Sequence, residues 1–137
     1  MNLTFTELLE YDTLETGITV PVKLHSGKAE IIIDAKLDTG STHCIFERGN
    51  GERLGLDVEA GTTLYFGTAT GRFLTFGHEL SLSVLGKENY ITVYFIAEKA
   101  IKKNVLGRIG WLDRVNLGLI DYEGKLFLNS YDQNSDF

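Results

Sequence analysis

Polar and apolar residues alternate over long stretches of this chain, a period of two that predicts strands rather than helices. Ile18, Val20, Val22 and Leu24 alternate with Thr19, Pro21, Lys23 and His25. Ser26-Gly27-Lys28 supplies a turn into a second run, where Ile31, Ile33, Ala35 and Leu37 point one way and Glu30, Ile32, Asp34 and Lys36 the other. Together the two runs predict a β-hairpin. Pro21 has no N–H to give to a ladder, so it predicts an edge position or a bulge. A second hairpin is predicted where His78, Leu80, Leu82 and Val84 alternate with Glu79, Ser81, Ser83 and Leu85, and Gly86-Lys87-Glu88-Asn89 turns the chain into a strand over 90–96. Arg48-Gly49-Asn50-Gly51-Glu52 reads as an exposed loop. Helix is confined to 6–9 and to a short turn near 110–115. The pattern is that of an all-β chain.

Leu37-Asp38-Thr39-Gly40-Ser41 stands where the half-buried strand 29–37 ends, and it occurs once. A carboxylate there is followed by a glycine able to take positive φ in a sharp turn and is flanked by two hydroxyls. Aspartic peptidases need two carboxylates sharing a proton, one acting as base on water and the other as acid toward the scissile carbonyl. A chain with one copy has to pair with a second chain.

With two further segments, this signature resembles that of the retropepsin-like aspartic proteases, the single-lobe, homodimeric relatives of the pepsins. Phe66-Gly67-Thr68-Ala69-Thr70-Gly71-Arg72-Phe73 lies where such enzymes carry their flap. Asn104-Val105-Leu106-Gly107-Arg108-Ile109-Gly110-Trp111-Leu112 is similar to the apolar-apolar-Gly-Arg segment before the family's short helix. The resemblance implies a small closed β-barrel-like acid-protease lobe with one short helix near the C-terminus, a flap at about 64–76, and an endopeptidase with no metal and no cofactor. Asp38 would be catalytic. Thr39 would reach across to the other subunit's backbone, and Gly40 would bind substrate main chain. Ser41 stands where pepsins have serine and many retropepsins alanine; its hydroxyl, donating to Asp38, would stabilise the carboxylate and give an acidic activity optimum. Gly67, Thr68, Ala69, Thr70 and Gly71 would cover an extended peptide, and Gly107 and Arg108 would support the site. Terminal strands interleave between subunits in this family, which makes the N-terminal residues and 125–129 the candidates here. Thr42 stands where viral members commonly carry an acid that pairs with the arginine, leaving Glu47 or Asp113 as substitutes for Arg108.

Length and charge narrow the alternatives. The 137 residues suit one domain, 1–137, and cannot hold two such lobes. A net charge of −6 with scattered basic residues, Lys102-Lys103 apart, argues against a nucleic-acid partner. No apolar run reaches the roughly 20 residues that span a bilayer, and the acidic N-terminus lacks the pattern of a signal peptide. A cytoplasmic protein with no membrane partner is expected. The single cysteine excludes an internal disulfide and fits a reducing compartment, so Asn2-Leu3-Thr4 is read as an incidental sequon.

Other chemistries have weaker claims. His43 and Cys44 are adjacent, so on a strand they face opposite ways and cannot form a nucleophile–base pair; Cys44 reads as a small core residue. His25, His43 and His78 have no metal-ligand spacing. Asp121 superficially resembles a second catalytic acid but lacks the following Thr-Gly or Ser-Gly, and reads as a turn acid. Trp111 reads as a packing residue. For Tyr65, Phe66, Phe73 and Phe76, cleft lining and core packing are equally open, and the segment 64–76 taken alone suits a surface β-turn as well as a lid. Two rival functions remain: a catalytically silent module of the same fold for dimerisation or peptide binding, and an unrelated small β-barrel that binds a metabolite.

Overall fold

The computed structural model describes residues 1–134. Its strands are β1 (Glu7–Glu10), β2 (Thr19–Ser26), β3 (Ala29–Leu37), β4 (Ile45–Phe46), β5 (Thr62–Thr68), β6 (Gly71–Val84), β7 (Lys87–Ile96), β8 (Val105–Leu106), β9 (Val115–Ile120) and β10 (Lys125–Ser130). The predicted alternation appears as burial: Val20, Val22, Leu24, Ile31 and Ala35 are in the core, while Ile32 is 65% exposed. The fold is all-β.

Six strands pair in a ring, β2–β3–β8–β4–β7–β6, and Lys23↔Ser83, Leu24↔Leu82 and His25↔Ser81 close it from β2 back to β6. Pro21 lies outside that closing stretch and has only β3 beside it, so its missing N–H leaves no second ladder broken. A separate three-stranded sheet, β1–β10–β9, has β10 at its centre. Leu126 and Leu128 from β10 join Val20, Leu24, Phe46, Phe95 and Trp111 in one apolar cluster, so the two sheets share a core. Trp111 is a core residue, 1% exposed, as its sequence position predicts.

Only part of β6 belongs to the ring. β7 accompanies β6 from Thr75↔Ile96 to Val84↔Lys87, whereas Gly71 to Leu74 pair with β5 alone, from Thr68↔Gly71 to Tyr65↔Leu74. The tip of the β5–β6 hairpin is thus a two-stranded arm extending beyond the ring. Two-stranded ribbons are marginal on their own. Its base is anchored where Phe66 and Phe73 pack on a small cluster of Ile45, Ile96 and Val105.

Several local expectations change. Among the described residues the one α-helix, α1, is Arg48–Arg53, where an exposed loop is expected, and the chain near 110–115 makes only a 3-10 turn at Leu112–Arg114. Two glycines depress the helix propensity of 48–53, but packing prevails. A Cβ on Gly51 would sit 3.0 Å from Val58 and 3.1 Å from Phe95, and buried Asn50 donates to Asn104 Oδ1 at 3.0 Å. The helix expected at 6–9 is not formed: residues 7–10 make β1, because pairing with β10 satisfies their backbone. The second hairpin turns through Leu85-Gly86 alone, with φ of 50° and 78°, so Lys87 to Asn89 stay in the ladder. Positive φ at both central residues is what a type I′ turn requires and what matches strand twist. Among the described residues, no helix is long and apolar enough to cross a membrane.

Candidate functional site

Asp38 begins the connection between β3 and β4, and β8 runs between those two strands. β8 pairs in parallel with β3 and antiparallel with β4. The strands before and after the turn are therefore both held by the segment 105–106, brought from far along the chain. Asp38 N donates to Leu106 O at 3.0 Å, and Ser41 N donates to Asp38 O at 3.1 Å, which closes the turn. Past β8, Arg108 N donates to Ser41 O at 2.9 Å and Ile109 N to Thr42 O at 2.7 Å. The turn is strapped along its whole length by main-chain bonds.

Gly107 makes that strapping possible. A Cβ there would lie 2.1 Å from His43 O and 2.8 Å from Ser41 O, both backbone atoms, so no side chain fits. Its N–H donates to Cys44 Sγ at 3.4 Å. Burial pushes the Cys44 thiol up to about 11, leaving it a neutral core residue, as expected. His43 faces the other way, its ring 4.9 Å from Tyr94 and 5.5 Å from Phe66, and burial lowers its pKa.

At the carboxylate, Gly40 N donates to Asp38 Oδ1 at 2.9 Å. The Ser41 hydroxyl does not reach it. Ser41 Oγ donates to His43 O at 2.7 Å, which corrects the expectation that this hydroxyl supports the Asp38 charge. A hydroxyl has one proton to give, and the carbonyl two residues on is in line for it. Thr39 is exposed, and its side chain meets no partner among the described residues. Arg108 is exposed, and neither expected substitute pairs with it. Glu47 pairs with Lys102 at 3.6 Å and accepts from Asn104 Nδ2 at 2.6 Å, while Asp113 accepts from Gly110 N at 3.0 Å and pairs with Arg114 at 3.6 Å. Asp121 accepts the Tyr11 hydroxyl at 2.6 Å, and that bond raises the phenol to about 12. A turn acid at the start of Asp121–Glu123 is what its sequence predicts.

A cleft of about 270 Å³ joins the Asp38 turn to the β5–β6 hairpin. Asp38, Gly40, Ser41 and Thr42 form one wall; Ile45, Phe66, Gly67, Phe73 and Lys103 complete it. Of the hairpin residues expected to meet substrate, Gly67 lines this cleft, and Thr68, Thr70 and Gly71 line a neighbouring groove of about 390 Å³. Ala69 lines neither. The aromatic group divides: Phe66 and Phe73 stack at 5.8 Å beside the cleft, Phe76 is core, and Tyr65 carries the Arg72 guanidinium 4.5 Å above its ring. Lys103 is the lining residue that sequence reasoning missed. Its signals were the paired bases Lys102-Lys103 and a place just before the Asn104 to Leu112 segment.

A larger concavity, about 730 Å³, lies elsewhere, lined by N-terminal residues 9–15 and by Asp34 and Lys36 of β3. It contains no residue of 38–42, and its lining combines Glu10, Asp12, Glu15, Asp34 and Glu47 with Lys36, Lys102 and Lys103, the last of which it shares with the Asp38 cleft. A smaller cleft that unites a half-buried carboxylate with a projecting hairpin is the better candidate, since convergent chemistry marks a site more reliably than volume. No protein-family model and no curated protein matches the chain.

Proposed function

We propose that the protein is an aspartic endopeptidase of retropepsin-like fold, working as a homodimer in which each subunit contributes one Asp38. The observation carrying this reading is the cleft itself: a carboxylate on a tightly strapped turn faces a two-stranded arm anchored only at its base. Two such turns meeting at a two-fold axis would bring two carboxylates within hydrogen-bonding distance, where both cannot easily ionise and one proton is shared. Water held between them loses a proton to one Asp38 as it attacks the peptide carbonyl, and the other Asp38 donates to the carbonyl oxygen. Neither step uses a covalent intermediate, a metal or a cofactor. The hairpins would close over an extended peptide and exclude water, which strengthens the electrostatics around the pair. An acidic optimum then rests on the shared proton, without help from Ser41. The buried neutral thiol of Cys44 suits a reducing compartment, and a cytoplasmic location is part of the proposal.

Dimerisation through exchanged terminal strands has a constraint. β10, residues 125–130, already has β1 on one side and β9 on the other, so only the outer edges of β1 and β9 are open to a partner. Leu8, Leu119 and Ile120 on these strands are exposed.

The test is cleavage of a diverse peptide library from acidic to neutral pH by the wild type and Asp38→Asn, with sedimentation of both. A dimeric wild type that cleaves, and a folded dimeric variant slower by ~10³-fold or more, is the expected result. A wild type that is monomeric and active would exclude the shared-carboxylate mechanism. A folded dimer with no cleavage would favour the peptide-binding module.

A further inference from the structure

Three lysines lie on the segment between β7 and β8, and they differ in their partners. Lys99 pairs with Glu52 at 3.0 Å and Lys102 with Glu47 at 3.6 Å. Lys103 has no ion-pair partner among the described residues, although it is half-buried and shares a cleft with Asp38. Its ammonium lies 5.9 Å from the centre of the Phe73 ring. An ammonium over an aromatic face keeps its donors available, and a cation in a partly enclosed apolar corner binds an anion more strongly than one in open water. Ile45, Phe66 and Phe73 supply that corner.

The surroundings point the same way. The chain carries a net charge of −6, yet the neighbouring groove holds Arg72, Lys102 and Lys103 and no acid. Along both concavities at the hairpin, Asp38 is the only acidic residue. A groove lined by bases and no acid, opening beside the cleft on an acidic protein, attracts a ligand of the opposite sign.

We propose that Lys103 makes the Asp38 cleft selective for acidic peptide segments, its ammonium receiving a glutamate or aspartate side chain whose methylene groups lie against Phe66 and Phe73. This rests on the peptide-binding, dimeric reading above. The two-fold axis then sets one Lys103 on each side of the paired Asp38 residues, so acidic residues are favoured at symmetric positions before and after the scissile bond.

The experiment uses peptides of one scaffold carrying Glu, Gln or Lys in turn at each of four positions on either side of the cleaved bond, with wild type, Lys103→Met and Lys103→Glu. Wild type is expected to favour Glu over Gln by about tenfold in kcat/KM at a symmetric pair of positions, Lys103→Met to level the two, and Lys103→Glu to favour Lys. An unchanged Glu preference in both variants overturns the proposal. So does an equal loss on all peptides in Lys103→Met, which would make Lys103 a strut against Phe73. Binding of the same peptides to the Asp38→Asn dimer, read by fluorescence anisotropy with and without Lys103→Met, separates this proposal from the catalytic one. Acid-selective binding that depends on Lys103 upholds the subsite even if wild type cleaves nothing; binding without that selectivity overturns it.

Discussion

The two walls of the Asp38 cleft are built on opposite principles. On one side the turn 38–42 is threaded by β8 and fastened by successive main-chain bonds from Asp38, Arg108 and Ile109, with no room at Gly107 for one more carbon. On the other, residues 66–73 have ladder partners only in each other, and an added Cβ at Gly67 would meet nothing within 4 Å. Segments with few packing contacts open at low free energy, and those locked by backbone bonds open only with the fold. A reacting carboxylate benefits from fixed geometry, whereas a cover has to admit and release a chain. One cleft thus combines an over-determined wall with an under-determined one.

Substituting the two glycines is the sharpest way to break the comparison. Gly107→Ala drives a methyl into two backbone carbonyls, so the bonds at Ser41 and Thr42 must part. We expect a loss of about 3 kcal/mol, a fall in Tm of about 10 °C, and no activity where the protein is still folded. Gly67→Ala meets no neighbour and has ordinary extended backbone, so its Tm should hold or rise slightly because the unfolded chain loses freedom. Gly67 lines the cleft, however, and kcat/KM should drop several-fold. Equal thermal effects of the two substitutions would remove the distinction between the walls.

That asymmetry was partly legible in the sequence. β3 could be read to the residue and β2 to within one, because one face is buried and the other wet, and Gly27, at φ 58°, supplies the hairpin turn. Asp38 and the 64–76 hairpin were found through their order along the chain. α1 was not legible: local propensity opposes it, and its reasons are Val58, just beyond the helix, and Phe95 and Asn104, remote in sequence. Lys103 and the Ser41 bond were hidden for a related cause. A hydroxyl with several acceptors nearby, or a lysine 65 residues beyond Asp38 in the numbering, is assigned only when β8 comes to lie between β3 and β4.

Ser41 sharpens the comparison from within the rigid wall. Because its hydroxyl fastens the turn to His43 O, Ser41→Ala should cost about 1 kcal/mol of stability and lower the rate modestly. The acid limb of the pH–rate profile should stay in place. A limb displaced to higher pH in the alanine variant would show that the hydroxyl turns to Asp38 when the site is assembled.

The smallest effect belongs to His43, the residue that joins the two walls: its carbonyl receives Ser41, and its ring meets Phe66 of the arm and Tyr94 of β7. Burial lowers the ring's pKa below the unfolded value of about 6.5, so between the two values the unfolded chain binds more protons. The stabilisation from neutral His43 is therefore complete above about pH 6.5 and declines as pH falls through the lowered value. Protonation charges a ring packed between aromatic edges, and the arm's anchorage should weaken before the strapped turn does. His43→Gln should flatten the dependence of Tm on pH below about 6.5 by a small amount. Hydrogen exchange at Phe66 and Phe73, taken relative to the intrinsic rate at each pH, is expected to accelerate on acidification in the wild type but not in the variant, while exchange at Arg108 and Ile109 stays slow in both. If both pairs accelerated together, the arm and the turn would be a single cooperative unit.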